Sequence, residues 1–182
     1  MSSNAVRYSP SYTIADYALW EGDWELWNGV AVCMSPAPTP MHQLVATNIA
    51  AEIRDQLRRN PDCRCLVLAE TDWQIDNATV VRPDVSIICE GLPSKHIDYA
   101  PAVVVEVLSP ATEQKDRTAK KALYEQQGVR YYLIINPKGK TIEQFELIDG
   151  EYKIQPLTNG IVSLKIDSDC GVEFAGSVIF PT

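Results

Sequence analysis

Asp84 and Glu106 each interrupt a stretch that is otherwise written as β-branched and apolar. Asp84 opens the run Val85 to Cys89, and Glu106 lies between Val105 and Val107 in the run Ala102 to Leu108. Such runs are expected as buried strands. An ionised carboxylate there is costly unless a cation meets it, and an unpaired one takes up a proton instead. The two acids therefore call for a shared positive charge: a divalent metal, a lysine, or both. Mg²⁺ favours hard oxygen ligands and keeps several waters, so two carboxylates could hold it beside a phosphate. A lysine close by would orient water and stabilise developing charge. Acid at a strand start, acid within the next strand and lysine nearby is the layout of a metal-dependent phosphodiesterase.

The surrounding elements can bring these groups together. The connector from Glu90 to Pro101 holds Gly91, Pro93 and Pro101 and is short for a helical crossover, so its two strands are expected as antiparallel neighbours. Asp84 can then lie beside Glu106. Strand alternation sets Val104, Glu106 and Leu108 on one face. Residues 113–127 are expected as a helix ended by Gly128. Its Asp116, Lys120 and Tyr124 fall four apart on one side and can pack back over the strand of Glu106.

Upstream, Thr13 to Asp16 resembles a capping box opening a short helix through Trp20. Trp24–Trp27 and Val30–Met34 are expected as a hairpin about Asn28-Gly29. Glu25 lies on that hairpin, where the pattern fits an outward-facing residue as well as a site residue. Ser35 to Pro40, with three prolines, is an extended loop. Val45, Ile49, Ile53 and Leu57 mark a helix over residues 41–59, with His42 in its first turn, a common surface or capping position. Residues 63–68 and 71–75 read as one bent strand pair with Glu70 between them. Asp76-Asn77 is a turn, and Val80-Val81 leads into Arg82. Downstream come a buried strand, Tyr131–Asn136, a hairpin over residues 141–155, and a tail of strand and coil.

With 182 residues the chain suits a single domain, residues 13–182, after an N-terminal arm, residues 1–12, expected to be disordered. No apolar run is long enough for a bilayer and the N-terminus lacks signal-peptide character, so a cytoplasmic protein without membrane contact is expected. A net charge of −8 argues against broad adhesion to nucleic acid. The basic residues nevertheless cluster, as Arg54, Arg58, Arg59 and Arg64, and as Lys115, Arg117, Lys120 and Lys121. Either group fits a local basic track or a solvated helix face. The five cysteines, Cys33, Cys63, Cys65, Cys89 and Cys170, contain no C-x-x-C, and there are only two histidines. Reduced, partly buried thiols are expected, and no zinc motif is visible.

Several segments in order resemble the Uma family of putative restriction endonucleases, placed in the PD-(D/E)XK nuclease superfamily. They are Glu25-Leu-Trp-Asn-Gly, Met34-Ser-Pro, His42-Gln43, Pro83-Asp84, Val105 to Thr112, the series Asp116, Lys120 and Tyr124, Gly128-Val129, and Tyr131 to Pro137. The resemblance implies an α/β (α+β) restriction-endonuclease-like core, a mixed β-sheet flanked by helices, here with added hairpins. It implies DNA as substrate, Mg²⁺ as cofactor with Mn²⁺ as a substitute, and a homodimer. It also implies Asp84 and Glu106 as metal ligands, with the Val107 backbone carbonyl as a third. Glu25, His42 and Arg82 are accessory candidates, Arg82 as a phosphate contact.

The superfamily's lysine should lie two residues after the glutamate, where this chain has Leu108. In the Uma family the amine appears on the following helix, at the position of Lys120, with Lys121 the nearest substitute. A nuclease is thus one reading. An inactive nuclease-fold binding or assembly module is another, favoured by the acidic charge and the displaced lysine. A hydrolase of some other phosphoester would use the same residues.

Overall fold

The computed structural model describes residues 11–34 and 37–181, and a six-stranded mixed sheet is their centre. Of the expected N-terminal arm, residues 1–10 lie outside the described residues. Ser11 and Tyr12 are described, and the Tyr12 N–H donates to the Gly29 carbonyl at 2.8 Å.

The chain begins with a short helix, α1 (Ile14–Tyr17), capped as expected: the Thr13 N–H and hydroxyl both donate to Asp16 Oδ2. β1 (Trp24–Trp27) and β2 (Val30–Cys33) form the hairpin, with Asn28 and Gly29 both at positive φ. The long helix α2 (Pro40–Arg59) follows, with Thr39 accepting from the His42 N–H and Pro40 suited to its first turn. Then come β3 (Leu66–Ala69), β4 (Trp73–Asp76), β5 (Thr79–Val81), β6 (Val85–Ile88) and β7 (Val103–Val107). A helical crossover, α3 (Glu113–Lys115), a π-helical turn over Asp116–Lys120 and α4 (Lys121–Gln126), leads to β8 (Tyr131–Asn136). β9 (Thr141–Ile148) and β10 (Glu151–Gln155) make one hairpin, and β11 (Ile161–Lys165) and β12 (Gly171–Ala175) another.

The large sheet runs β10-β9-β8-β7-β6-β3, parallel only between β7 and β8. The smaller runs β2-β1-β5-β4. β6 and β7 are antiparallel neighbours, as the short connector requires. Residues 63–68 and 71–75 are not one bent pair. β3 joins β6 in the large sheet and β4 joins β5 in the small one. Between them Glu70 adopts φ 46°, a left-handed turn that redirects the chain from one sheet to the other.

Alternation along β7 divides the core. Val103, Val105 and Val107 face the α2 stripe of Val45, Ile49, Ile53 and Leu57, together with the β11–β12 hairpin. Val104 and Leu108 face the opposite way, toward Tyr124, Tyr132 and Trp73. Glu106 shares that second face by the same alternation. The expected helix over residues 113–127 is present but not uniformly α. In its π turn the Asp116 carbonyl accepts from the Tyr132 hydroxyl at 2.9 Å.

The cysteines depart from the reduced thiols expected. Cys63 is bonded to Cys170 and Cys65 to Cys89; only Cys33 is free, and it is exposed. The register Leu66↔Ile88, carried one residue outward, sets Cys65 opposite Cys89. Cys170, which immediately precedes β12, reaches Cys63 across 107 residues of sequence. Such partners leave no local spacing to read.

Gly29 is fixed by close approach as well as by its turn. At φ 81°, a Cβ there would come within 2.7 Å of Ser11 Oγ. Gly29→Ala is expected to cost about 1–3 kcal/mol, read as a lower urea midpoint at unchanged m-value. An unchanged midpoint would show that Ser11 and the turn yield freely.

Candidate active site

Glu106 is the centre of the site. It is nearly solvent-free at 2 % exposure, and β7 delivers it to the face covered by the π turn and α4. Its Oε1 accepts from Lys120 Nζ at 2.7 Å and from the Tyr124 hydroxyl at 2.7 Å. Lys120 is as buried as its partner, and its ammonium also lies 3.4 Å from Glu25 Oε1 and 3.9 Å from Asp116 Oδ1. The amine missing at Leu108 is therefore present on the same face, arriving from the crossover. Leu108 itself is buried among the apolar and aromatic side chains of that face.

Glu25 is not an outward-facing strand residue but fully buried. Its Oε2 accepts from Lys115 Nζ at 2.7 Å and from the Trp27 indole N–H at 3.0 Å. Its Oε1 accepts the Arg82 backbone N–H at 3.0 Å. Burial pushes this carboxyl up, but Lys120, Lys115 and the Arg82 N–H outweigh it and hold it down at about 2. Burial also works against the charged form of Lys120, yet Glu106, Glu25, Asp116 and Asp84 together push its pKa up. Lys120 is thus a fixed cation that can donate hydrogen bonds and stabilise charge, and cannot serve as a base at neutral pH.

Asp84 sits at the open end of this cluster. The β6–β7 register Val85↔Val105, extended one residue, places it opposite Glu106. Its Oδ2 accepts the Val107 N–H at 2.7 Å and lies 3.2 Å from His42 Nε2. α2 supplies His42, buried in its first turn. Burial pushes the imidazole pKa down, but Asp84, the Val107 backbone and Glu70 raise it overall. The structure thus brings Glu25, His42, Asp84, Glu106 and Lys120 into one continuous set, with Val107 backbone between Asp84 and Glu106.

The balance of charge in this set is negative. Glu25, Asp84, Glu106 and Asp116 face Lys115, Lys120 and one histidine. Burial, together with Asp84 and Asp116, pushes the Glu106 carboxyl well up against the pull of Lys120. Asp116 is raised as well, by burial first and with Asp84 adding to it, and both of its carboxyl oxygens are buried without a hydrogen-bond partner among the described residues. Among the described residues, hydrogen bonds and ion pairs to Asp84 fall on Oδ2 and those to Glu106 on Oε1, leaving Oδ1 and Oε2 for a further ligand. Hard, unsaturated carboxylate oxygens with excess negative charge fit a divalent cation such as Mg²⁺.

Other sequence candidates go elsewhere. The Arg82 guanidinium is committed to Asp72 at 2.7 Å and Asp23 at 2.8 Å, so it is a structural anchor and not a free phosphate contact. Lys121 lies over the Phe145 ring, 4.1 Å from its centroid, away from the acids. The second basic cluster is largely consumed internally: Lys115 pairs with Glu25, Lys120 with Glu106, and Arg117 with Glu113 and Glu143. Lys115 and Asp116 were not singled out as site residues from sequence. The i, i+4 series from Asp116 to Lys120 was the available signal for the second; Lys115 has none, because its partner lies 90 residues upstream.

Residues 14–174 match the profile of the Uma2 family, described as "Putative restriction endonuclease". Among solved structures, a "putative nuclease belonging to DUF820" from Anabaena variabilis superposes with a TM-score of 0.73 at 16 % identity, covering 92 % of this chain and 97 % of that one. That likeness establishes the shared fold. No curated protein matches the sequence.

The Glu25 carboxyl sets an acid limit on stability. Its folded pKa of about 2 lies below the ordinary 4.5, so the unfolded chain takes up the proton first. The stabilisation is present above about pH 4.5 and is lost as pH falls toward 2, amounting to about 3 kcal/mol. Glu25→Gln should be less stable than wild type at neutral pH and should lose this part of the acid slope in urea titrations. An unchanged slope would show that Glu25 is not held by the two lysines.

Proposed function

The chain belongs to the Uma2 family, and we propose that it is a divalent-metal-dependent endonuclease hydrolysing DNA phosphodiester bonds, with Mg²⁺, or Mn²⁺ in its place, held by Asp84 and Glu106. The observation that carries this reading is the Lys120 ammonium, buried and 2.7 Å from Glu106, which supplies the amine that Leu108 cannot. The Val107 carbonyl is the further ligand. The ion, when bound, would draw charge from the phosphoryl oxygens and ease deprotonation of the attacking water.

The chain's own groups have separate tasks in this reading. Lys120 donates a hydrogen bond to the attacking water or to a phosphoryl oxygen and stabilises charge that grows during the in-line displacement. Glu25 and Asp116 hold that ammonium in place and keep it charged. Tyr124 fixes one oxygen of Glu106, so that the other is presented at a defined angle. His42 braces Asp84, as neighbours of ligating carboxylates do. Leu108, Tyr132 and Trp73 form the apolar wall that lowers the local dielectric and strengthens these interactions. A cytoplasmic protein acting on duplex DNA, paired with a second copy so that both strands meet a site, completes the reading.

A second reading is an inactive nuclease-fold binding module. The internal pairing of Lys115, Arg117, Lys120 and Arg82 favours it, because those charges do not form a free track for the DNA backbone.

Both readings are tested together. Mg²⁺ or Mn²⁺ should raise the melting temperature of the wild type and support nicking of supercoiled plasmid. Asp84→Asn should abolish the shift and lower nicking by about 100-fold or more, of the order seen when one group stabilising the transition state is removed. A metal-dependent shift without nicking of any DNA would favour the binding module. No shift in the wild type would remove the metal site altogether.

A further inference from the structure

We propose that Cys63, Cys65, Cys89 and Cys170 form, when reduced, a closed tetrathiolate site for one soft divalent cation of the zinc type, separate from the carboxylate site. The fold collects four of the five cysteines at one place from three distant parts of the chain. As described, they are paired as two disulfides, Cys63–Cys170 and Cys65–Cys89. Two independent disulfides have no need to touch. Here the Sγ atoms of Cys63, Cys65 and Cys170 all lie within 4.8 Å of one another, and Cys89 is bonded to Cys65. The two disulfides therefore meet through Cys65, with Cys89 on the outer side of the cluster. Around zinc, Zn–S bonds of about 2.3 Å set tetrahedral sulfurs roughly 3.8 Å apart. Assembling the tetrahedral set requires each bonded pair to open to that spacing and the Cys89 side chain to swing toward Cys63 and Cys170.

The surroundings suit a structural site. Cys65 and Cys170 are buried, and Cys63 and Cys89 are partly buried against the same core, so the protein supplies all four thiolates from within or at the edge of packed structure. Asp167 stands at the edge, its Oδ2 4.0 Å from Cys65 Sγ, while its Oδ1 accepts the N–H groups of Asp169 and Cys170 and shapes the turn that presents Cys170. No zinc motif is visible in the sequence, which has no C-x-x-C and few suitably spaced Cys and His. The strand pairing of β3 with β6 and the turn before β12 assemble the set instead.

The conversion balances with a dithiol reductant. Each disulfide takes two electrons and two protons from one dithiol, which becomes a disulfide, so two dithiols yield four cysteine thiols. Cation binding then displaces the thiol protons. In a reducing compartment the four residues are thiols, and the cation would tie the lead into β3, the end of β6 and the turn before β12 in place of the disulfides. Cys89 follows β6 and Asp84 precedes it. The five steps of extended chain from Asp84 to Cys89 span roughly 16 Å, so the two sites are separate.

Cobalt titration of the full chain, reduced under inert gas, tests the proposal. Co²⁺ should give thiolate-to-cobalt charge-transfer absorption that saturates at one ion per chain and is displaced by Zn²⁺. With Zn²⁺ bound, four of the five thiols should resist alkylation, leaving Cys33 reactive. Asp84→Asn and Cys33→Ser should keep the bands, so failure of the nuclease reading leaves this result intact. Cys170→Ser should lose the tetrathiolate spectrum. Reduced, folded protein that shows no charge-transfer band overturns the proposal. So does free alkylation of all five thiols in excess Zn²⁺, a result that does not depend on any variant folding.

Discussion

A lysine ammonium enclosed by carboxylates is the interaction on which the rest of this structure turns. Removing Lys120 and Glu106 from water is costly, and a buried ion pair stabilises a fold only when its remaining valences are met. Here the Glu106 oxygen that meets Lys120 is met again by Tyr124, and Glu25 faces the same ammonium from the neighbouring sheet. The arrangement still leaves more negative charge than positive. Among the described residues, Asp116 is buried with no hydrogen-bond partner on its carboxyl oxygens, and one oxygen each of Asp84 and Glu106 is left for a further ligand. A cluster that ends in carboxylate oxygens left for a further ligand has the hard donors that a divalent cation prefers.

The fold places these groups by three separate devices. The antiparallel register of β6 and β7 sets Asp84 against Glu106. The parallel β7–β8 step demands a crossover, and that crossover carries Lys120 and Tyr124 back over the strand it leaves. The small sheet, through β1, adds Glu25 from another direction and anchors to the crossover by its bond to Lys115. The π turn lies where the crossover meets Glu106. Such turns are often found at functional sites, and this one has its Asp116 carbonyl drawn to Tyr132.

Much of this arrangement is legible in the sequence. Alternation in Val104, Glu106 and Leu108 gave the face of the glutamate, and the short connector after Cys89 gave the antiparallel pairing. The four-residue spacing from Asp116 to Tyr124 gave the lysine's helix side. What was not readable depends on contacts between distant segments. The hairpin pattern left Glu25 open between an outward-facing and a site residue, because the lysines that meet it, Lys115 and Lys120, lie far along the chain. Arg82 looked free because Asp23 and Asp72 belong to other elements. The separation of β3 from β4 hinged on one left-handed residue, Glu70, a conformation that glutamate does not advertise. The cysteines converge only after β3, β6 and the β11–β12 turn have met.

The most direct test is crystallographic. Crystals of the wild type soaked in Mn²⁺ and measured at a wavelength where manganese scatters anomalously should show one strong peak in contact with both the Asp84 and Glu106 carboxylates. No peak there, or manganese bound only at acids outside this set, would contradict the view that the buried charge around Lys120 is completed by a metal ion.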